Sequence, residues 1–391
     1  MKALYLLMAW LPALSVSANT ILPLEQGLTL AEIRHQGVTQ TIAVLEDNGE
    51  NIKGINLGSL FNRALSTRSL SPIELYNALG YDKIVQHLTT ASKENIKDYP
   101  YQQLLSPAGT HSLHYAVGLN YAEHAAEVNQ QDKPFTFLKA VKATREEAVS
   151  YAPNRLLDYE VEICARPLNS ISQALNTTTQ PLNSITQPKM KEASFGYFLC
   201  GDFTDRARLL NELDLNNLQS GKGFSNAKSS PTYFPTGPYM VIPKNNRQFL
   251  ADLELSLWLN GQLRQQSNTR HMIWSTERII EDIFLAQKTG RDTYSENEPD
   301  WLPNGQLEPS ASILTGTPEG VIMKAPSLWY KIQHGLKYVI TGAFLTSDVS
   351  IKKYVVNAYI EDLFKEGHFL QEGDQLTLKA DWLGTINLTV E

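Results

Sequence analysis

The sequence predicts an α+β protein in which β-structure predominates. Short apolar or alternating runs separated by turn residues recur through residues 113–391, among them HYAVGLN, SFGYFLCGDF and DQLTLKA. The Asn260-Gly261 pair inside LELSLWLNGQLRQQ indicates a β-hairpin. Helical spacing is confined to a few segments, such as STERIIEDIFLAQ, where Ser275 is an expected N-cap, and the shorter NYAEHAAEVN.

The first 18 residues differ from the rest of the chain. Lys2 precedes an apolar run over residues 3–16, and Val16-Ser17-Ala18 is a small-residue pattern typical of signal cleavage. We therefore expect residues 1–18 to be a signal peptide and the protein to be exported, either periplasmic or secreted. The alternative is an N-terminal helix buried in the fold. The run is too short to span a membrane comfortably, and no later stretch reaches spanning length.

Two domains are predicted after the signal. Residues 19–105 alternate strand-like runs such as QTIAVLE with helical ones such as PIELYNALGYDKIVQHL, which predicts a small N-terminal α/β domain. Residues 106–391 form the main domain. It carries two insertions, at about 167–190 and about 324–365.

The two insertions differ in character. The first contains three tandem seven-residue repeats, PLNSISQ, ALNTTTQ and PLNSITQ. Because their Pro, Asn, Ser and Thr residues cannot build a coiled-coil seam, we expect a surface loop. The second contains the apolar stretch YVITGAFL, which predicts some structure of its own.

Charge and cysteine content exclude several classes. A formal net charge of -7 with a pI near 5.7 offers no basic footprint for nucleic acid or for an anionic membrane. Two cysteines, Cys164 and Cys200, are too few for a disulfide scaffold. They can pair if their strands are antiparallel neighbours, and two buried free thiols are the alternative.

The stretch RLLDYEVEICARP, residues 155–167, places two carboxylates close together. Glu160 and Glu162 alternate with Tyr159 and Val161, so on a strand both point to the same face. Such neighbours repel and raise each other's pKa unless a positive charge offsets them. Taken alone, this pattern is usually a solvated strand face.

Eight segments together carry a family resemblance. They are GLNYAEHAAE, DYEVEICA, GDFTDRA, GKGF, PTGP, NGQLRQ with NTRHMIWS, LTGTPEGV and FLQEGDQLTL, in this order. Their series resembles the fumarylacetoacetate hydrolase (FAH) family over residues 113–391. The resemblance implies a mixed β-sandwich roll for this catalytic domain, and family members commonly form homodimers.

The resemblance also implies a site. It assigns a Mg²⁺ ion, or Mn²⁺ or Ca²⁺, to three carboxylates, which are hard oxygen ligands: Glu160, Glu162 and Asp202. It assigns catalytic roles to His124, Glu127 and Lys222. It assigns substrate binding to Lys139, Arg206 and Thr317. His124 and Glu127 share one helical face, so the carboxylate can orient the imidazole, although a surface histidine beside a surface acid is the ordinary reading of such a pair.

The expected activity follows from this site. The resemblance implies a metal-dependent hydrolase that cleaves a carbon–carbon bond in a ketonic substrate, a 2,4-dioxo acid of the acylpyruvate type. Decarboxylation, isomerisation and hydration of oxo acids occur in the same family and are alternatives. A third alternative is an exported binding protein that keeps the fold without turnover.

Overall fold

The computed structural model describes residues 18–61, 70–127, 133–145, 147–172, 194–214, 216–291, 301–346 and 349–391. Residues 1–17 of the predicted signal peptide and residues 173–187 of the tandem repeat lie outside the described residues. The signal peptide therefore stays a prediction.

The strands are distributed along the whole described chain, as follows: β1 Gly27–His35, β2 Val38–Asp47, β3 Asn51–Asn56, β4 Ile96–Pro100, β5 His114–Gly118, β6 Phe135–Lys139, β7 Ala148–Val149, β8 Leu157–Asp158, β9 Val161–Pro167, β10 Ile171–Ser172, β11 Phe195–Gly201, β12 Thr204–Asp205, β13 Met240–Pro243, β14 Glu254–Leu259, β15 Gln262–Asn268, β16 Gln306–Leu307, β17 Ile313–Leu314, β18 Gln375–Ala380 and β19 Gly384–Val390.

The helices are fewer and mostly short: α1 Leu57–Leu60, α2 Pro72–Leu79, α3 Tyr81–Thr90, α4 Ala122–Glu127, α5 Arg206–Glu212, α6 Phe224–Lys228, α7 Asn246–Ala251, α8 Thr276–Thr289, α9 Leu328–Ile340, α10 Ala343–Thr346 and α11 Ile351–Glu366. The predicted N-cap is confirmed, because the Ser275 side chain accepts a hydrogen bond from the Arg278 N–H at the start of α8.

Two large sheets form the body of the fold. One has ten strands in the order β4-β3-β2-β1-β13-β11-β9-β17-β5-β6, and the other has five in the order β15-β14-β18-β19-β7. Side chains from both sheets, such as Ile163 and Leu199 of the first and Leu257 and Leu378 of the second, lie in one buried hydrophobic cluster. The prediction of an α+β fold with predominant β-structure is confirmed.

The second sheet contains the predicted hairpin. Asn260 and Gly261 link β14 to β15, with φ of 51° and 76°. Two consecutive left-handed residues match a type I′ turn, the reason that Asn-Gly favours hairpins.

The first four strands belong to the same sheet as the strands of the main domain. β1 pairs antiparallel with β13, placing Leu28 opposite Ile242 and Leu30 opposite Met240. Side chains from both regions share one buried cluster. The sheet therefore continues across residue 105, and the domain boundary there stays a prediction.

The second predicted insertion is helical. Residues 328–366 contain α9, α10 and α11, and α9 packs on α11 through Tyr330, whose hydroxyl donates to Asp362 at 2.8 Å, and through the contact of Tyr338 with Tyr354. Among the described residues, no helix combines the length and apolar character needed to cross a bilayer.

Candidate metal centre and active site

Strand register brings three carboxylates together. β9 and β11 are antiparallel neighbours in which Glu162 lies opposite Cys200 and Val161 opposite Gly201. The pairing continues past the strand ends, because the Asp202 N–H donates to the Glu160 carbonyl at 2.9 Å. Asp202 and Glu160 are therefore opposite each other, and Glu162 follows Glu160 by two residues on the same face.

The three side chains are buried and converge. Glu160, Glu162 and Asp202 each offer a carboxylate oxygen, and these oxygens all lie within 4.8 Å of one another. Oxygens bound to one magnesium ion at about 2.1 Å are separated by about 3–4 Å. Small side-chain movements are therefore enough to complete a three-carboxylate cation site.

Buried cations surround two of these acids. The Lys228 ammonium lies 2.7 Å from Glu160 and 2.9 Å from Asp202. The Arg206 guanidinium donates to Glu160 and to Asp158, at 2.8 Å each. Lys139 is completely buried and donates to Asp202 at 2.6 Å. These contacts supply the positive charge that the sequence requires beside Glu160.

Glu162 has a different environment. No cation lies within salt-bridge distance of it among the described residues, and its Oε2 accepts the Gly316 N–H at 2.7 Å. The φ of Gly316 is 94°, and a Cβ there would lie 2.8 Å from the Asn120 side chain. Glycine is therefore needed for the backbone that donates to Glu162 to pass this close to Asn120.

The electrostatics of these acids differ accordingly. Burial raises the pKa of Glu160, but Lys228 and Arg206 outweigh burial and hold the pKa below its usual value. Burial, together with the negative charges of Asp202 and Glu160, raises the pKa of Glu162 well above its usual value. A divalent cation beside Glu162 would offset this repulsion. The donor set of three hard oxygens therefore fits Mg²⁺, Mn²⁺ or Ca²⁺.

His124 and Glu127 lie on α4, on the same side of the helix. His124 lines the same pocket as Glu160 and Asp202, and its Nδ1 lies 3.5 Å from the Glu127 carboxylate. This separation is longer than an ordinary hydrogen bond. Both side chains are nearly buried, so the interpretation as a solvated surface pair does not hold.

Glu127 has two further partners outside α4. It accepts the Gly320 N–H at 3.0 Å and forms an ion pair with Lys324. Burial raises the pKa of Glu127, but the contacts with His124, Lys324 and Gly320 outweigh burial and lower the pKa to about 2. Glu127 is therefore ionised at neutral pH, as an orienting carboxylate must be.

Thr317 is buried at the rim of the pocket, held from two sides. Its hydroxyl donates to the Val161 carbonyl at 2.9 Å and accepts from the Gln265 amide at 3.0 Å. Gln265 also accepts the Val161 N–H, so it joins Thr317 to the strand that carries Glu162. Apolar residues complete the pocket wall: Val117, Leu119, Phe137 and Phe224.

The structure brings most of the predicted residues together, with two differences. Lys222 is exposed in the turn between Gly221 and Gly223 and does not line the pocket. The lysine that lines the pocket and contacts the acids is Lys228, at the last position of α6. Its spacing of four residues from Phe224, which lines the same pocket, is a signal that the sequence contains.

The second difference concerns Lys139, which lies behind Asp202 and holds that carboxylate instead of lining the pocket. Arg206 and Thr317 do line it. Their roles in substrate binding, like those of His124 and Glu127 in catalysis, stay predictions.

Cys164 and Cys200 form a disulfide, with Cα atoms 5.9 Å apart. The bond joins β9 to β11 two residues beyond Glu162, and both cysteines are fully buried. Of the two alternatives, the structure therefore contains the cross-strand pair.

Comparison with known proteins identifies the family of the chain. The family profile described as fumarylacetoacetate (FAA) hydrolase C-terminal matches residues 113–391. The homoprotocatechuate catabolism bifunctional isomerase/decarboxylase of Escherichia coli is 26% identical over 220 residues, 54% of this chain and 42% of the relative. The 2,4-didehydro-3-deoxy-L-rhamnonate hydrolase of a Sphingomonas species is 26% identical over 214 residues, 53% of this chain and 61% of the relative. The chain thus spans less than two thirds of the length of either protein.

Solved structures agree on the fold. The fumarylacetoacetate hydrolase of Exiguobacterium antarcticum aligns with a TM-score of 0.54 and 19% identity, covering 93% of this chain and 99% of that one. At this identity the likeness concerns the fold alone. The family profile extends over more than two thirds of the sequence and includes every residue of the acidic cluster. The chain belongs to the fumarylacetoacetate hydrolase family.

Proposed function

We propose that this protein is a divalent-metal-dependent hydrolase that cleaves a carbon–carbon bond in a 2,4-dioxo acid of the acylpyruvate type. One observation carries the proposal: three buried carboxylates converge within 4.8 Å of one another, and two of them, Glu160 and Asp202, line a pocket together with His124. Family membership supports an enzyme, and the name of the Sphingomonas relative supports a hydrolase.

Glu160, Glu162 and Asp202 would hold the ion. When bound there, the ion supplies Lewis-acid polarisation of the oxygens of a dioxo acid. Among the described residues, four buried carboxylates, including Asp158, face three buried cations: Lys139, Arg206 and Lys228. This excess of negative charge favours uptake of a divalent cation.

The other groups of the pocket suit hydrolysis. His124 takes a proton from water while Glu127 orients the ring, and the water oxygen bonds to the substrate carbonyl carbon. The neighbouring carbon–carbon bond then breaks and its electron pair remains on the leaving carbon. His124 returns the proton to that carbon. Lys228 and Arg206 offset the negative charge that develops during these steps.

A second candidate is an isomerase or decarboxylase acting on an oxo acid. The 3.5 Å separation of His124 and Glu127 supports it, because among the described residues no hydrogen bond to His124 Nδ1 holds the ring as a water-activating base. The name of the Escherichia coli relative points the same way. Product masses separate the candidates: hydrolysis splits the substrate and adds water, isomerisation leaves its mass unchanged, and decarboxylation releases carbon dioxide.

The experiment uses purified protein stripped with EDTA and resupplied with Mg²⁺, Mn²⁺ or Ca²⁺. We expect turnover of acylpyruvates to need the ion and to fall about 10²–10⁴-fold in His124→Ala. His368→Ala is the matched control, because this histidine is exposed and does not line the pocket. Unchanged turnover in His124→Ala removes His124 as the base. Ion binding without turnover of any oxo acid favours the binding-protein alternative.

We also propose that the protein is exported and forms a homodimer. Export is supported by the signal-like residues 1–18 and by the disulfide, since disulfides persist in oxidising compartments. Sequencing the N-terminus of the protein from a periplasmic or culture fraction tests export. Sedimentation of the purified protein tests the dimer, which is carried over from the family.

A further inference from the structure

One face of α9 and α10 is apolar and exposed. Several of its large side chains are largely uncovered, including Leu328 at 73%, Trp329 at 71%, Ile340 at 82% and Leu345 at 77%. The apolar face consists of Leu328, Trp329, Ile332, Leu336, Val339 and Ile340 of α9, together with Leu345 of α10. An exposed apolar surface of this extent marks an interaction site.

The apolar face points away from the protein. Tyr330 and Tyr338 lie on the opposite side of α9, where they contact Tyr359 and Tyr354 of α11. At about 100° per residue, the apolar residues of α9 cover an arc of roughly 120°, and the tyrosines lie on the far side of the helix. Packing among the described residues therefore leaves the apolar face exposed.

The charges beside this face are positive. Lys331 and Lys337 are exposed and, at about 100° per residue, lie on either side of the apolar arc. The sequence contains no Asp or Glu between residues 326 and 347, although the whole chain carries a net charge of -7. The net charge of the whole chain predicts no attraction to an anionic membrane, but this segment is positively charged.

We propose that the apolar face docks on an anionic lipid surface, with α9 lying in the plane of the headgroups. A helix with Trp and Leu on one face, flanked by lysines, is the pattern of an interfacial membrane helix. Lysines at the boundary place their stems along apolar surface and their ammonium groups at lipid phosphates. At 13 residues, α9 is about 20 Å long, less than the roughly 30 Å core of a bilayer, so it lies on the membrane.

Charge also favours an anionic lipid surface over a second copy of the chain as the partner of the apolar face. A pairing of two apolar faces would bring two sets of lysines together without an acidic partner in the segment. Anionic headgroups supply the complementary charge. The inference is independent of the proposed function, because it needs neither the metal nor turnover.

The first test measures partitioning of the full chain onto vesicles of phosphatidylglycerol and phosphatidylcholine, compared with phosphatidylcholine alone. We expect binding to the anionic vesicles that weakens at high salt. Trp329→Glu with Ile332→Glu should lower the partition coefficient more than tenfold. Lys331→Gln with Lys337→Gln should lower it about 25-fold, at about 1 kcal/mol for each lysine.

A matched control is available on other surfaces of the molecule. Val38 is 45% exposed and Leu263 is 49% exposed, and neither lies on the apolar face. Val38→Glu with Leu263→Glu adds the same charge and should leave partitioning unchanged. All variants keep residues 1–18, so any lipid affinity of that segment is common to them. Equal partitioning of all variants overturns the proposal.

The second test locates the contact. The two native cysteines are paired, so Ile332→Cys provides the one free thiol for an environment-sensitive fluorophore. We expect a blue shift on adding anionic vesicles, and no shift for a label at Lys97→Cys, an exposed position on β4. A shift that appears without lipid and grows with protein concentration identifies a second copy as the occupant and overturns the proposal.

Discussion

Replacing Lys228 by methionine should destabilise the protein and disable the site, whereas the same change at Lys222 should do neither. Lys228 is 3% exposed and bridges Glu160 and Asp202 at 2.7 and 2.9 Å. Removing one partner of a buried ion pair costs about 3–5 kcal/mol, because the remaining charges lose their compensation. Arg206 and Lys139 still contact these acids, so we expect a loss near 3 kcal/mol in the free energy of unfolding.

The assay is urea unfolding at pH 7 in EDTA, followed by circular dichroism. Lys222→Met, an exposed change in the same segment, should stay within about 0.5 kcal/mol of the parent protein. Saturating Mg²⁺ should reduce the loss of unfolding free energy in Lys228→Met, because the bound ion replaces the positive charge of the missing ammonium group. Turnover should fall about 10²-fold in Lys228→Met and stay unchanged in Lys222→Met.

The opposite pattern would refute this reasoning. If Lys222→Met loses activity while Lys228→Met keeps both activity and stability, then Lys222 has the catalytic role that the family resemblance assigns to it. The arrangement of the acidic cluster described above would then not represent the working site.

Three further predictions concern stability. Cys164→Ala with Cys200→Ala removes a cross-link of 36 residues and should cost about 4 kcal/mol of unfolding free energy in the chain-entropy estimate, while an unchanged melting temperature would contradict the disulfide. The pKa of Glu127 lies near 2, below its ordinary value of 4.5, so its stabilising contribution is complete above pH 4.5 and disappears as the pH falls toward 2. Between pH 5 and pH 3, Glu127→Gln should therefore lose about 1 kcal/mol less unfolding free energy than the parent protein, as followed by melting temperature. An equal loss in both proteins would exclude this role. Gln265→Leu leaves the buried Val161 N–H without its acceptor at 3.0 Å and should cost about 1–3 kcal/mol in urea unfolding, whereas a neutral effect would mean that the bond does not hold β9.

Local sequence patterns predicted those features that depend on neighbours in the chain. The alternation of Glu160 and Glu162 placed both acids on one strand face, and Asn260-Gly261 indicated the hairpin. The position of Ser275 predicted a helix start. In each case the cause lies within a few residues: the two-residue period of a strand, the left-handed turn and the N-cap hydrogen bond.

Features that depend on tertiary contacts could not be read in the same way. The role of Lys222 was predicted from the family resemblance, whereas the approach of Lys228 to the acids depends on where α6 packs. Gln265 lies on a hairpin strand distant in sequence from Val161 and Thr317, and Lys324 reaches Glu127 from a different part of the fold. For Gln265 and Lys324, sequence spacing contains no information on these contacts.

The pairing of β1 with β13 has a practical consequence for attempts to prepare the FAH-like region alone. A truncation at residue 105 would remove β1 to β4 and leave the backbone donors and acceptors of Met240–Pro243 unpaired along one side. It would also uncover Ile242 and Met240, which are now fully buried. Such a bare, apolar strand edge is a template for aggregation. Shortened forms designed for crystallisation or assay should therefore retain the first four strands.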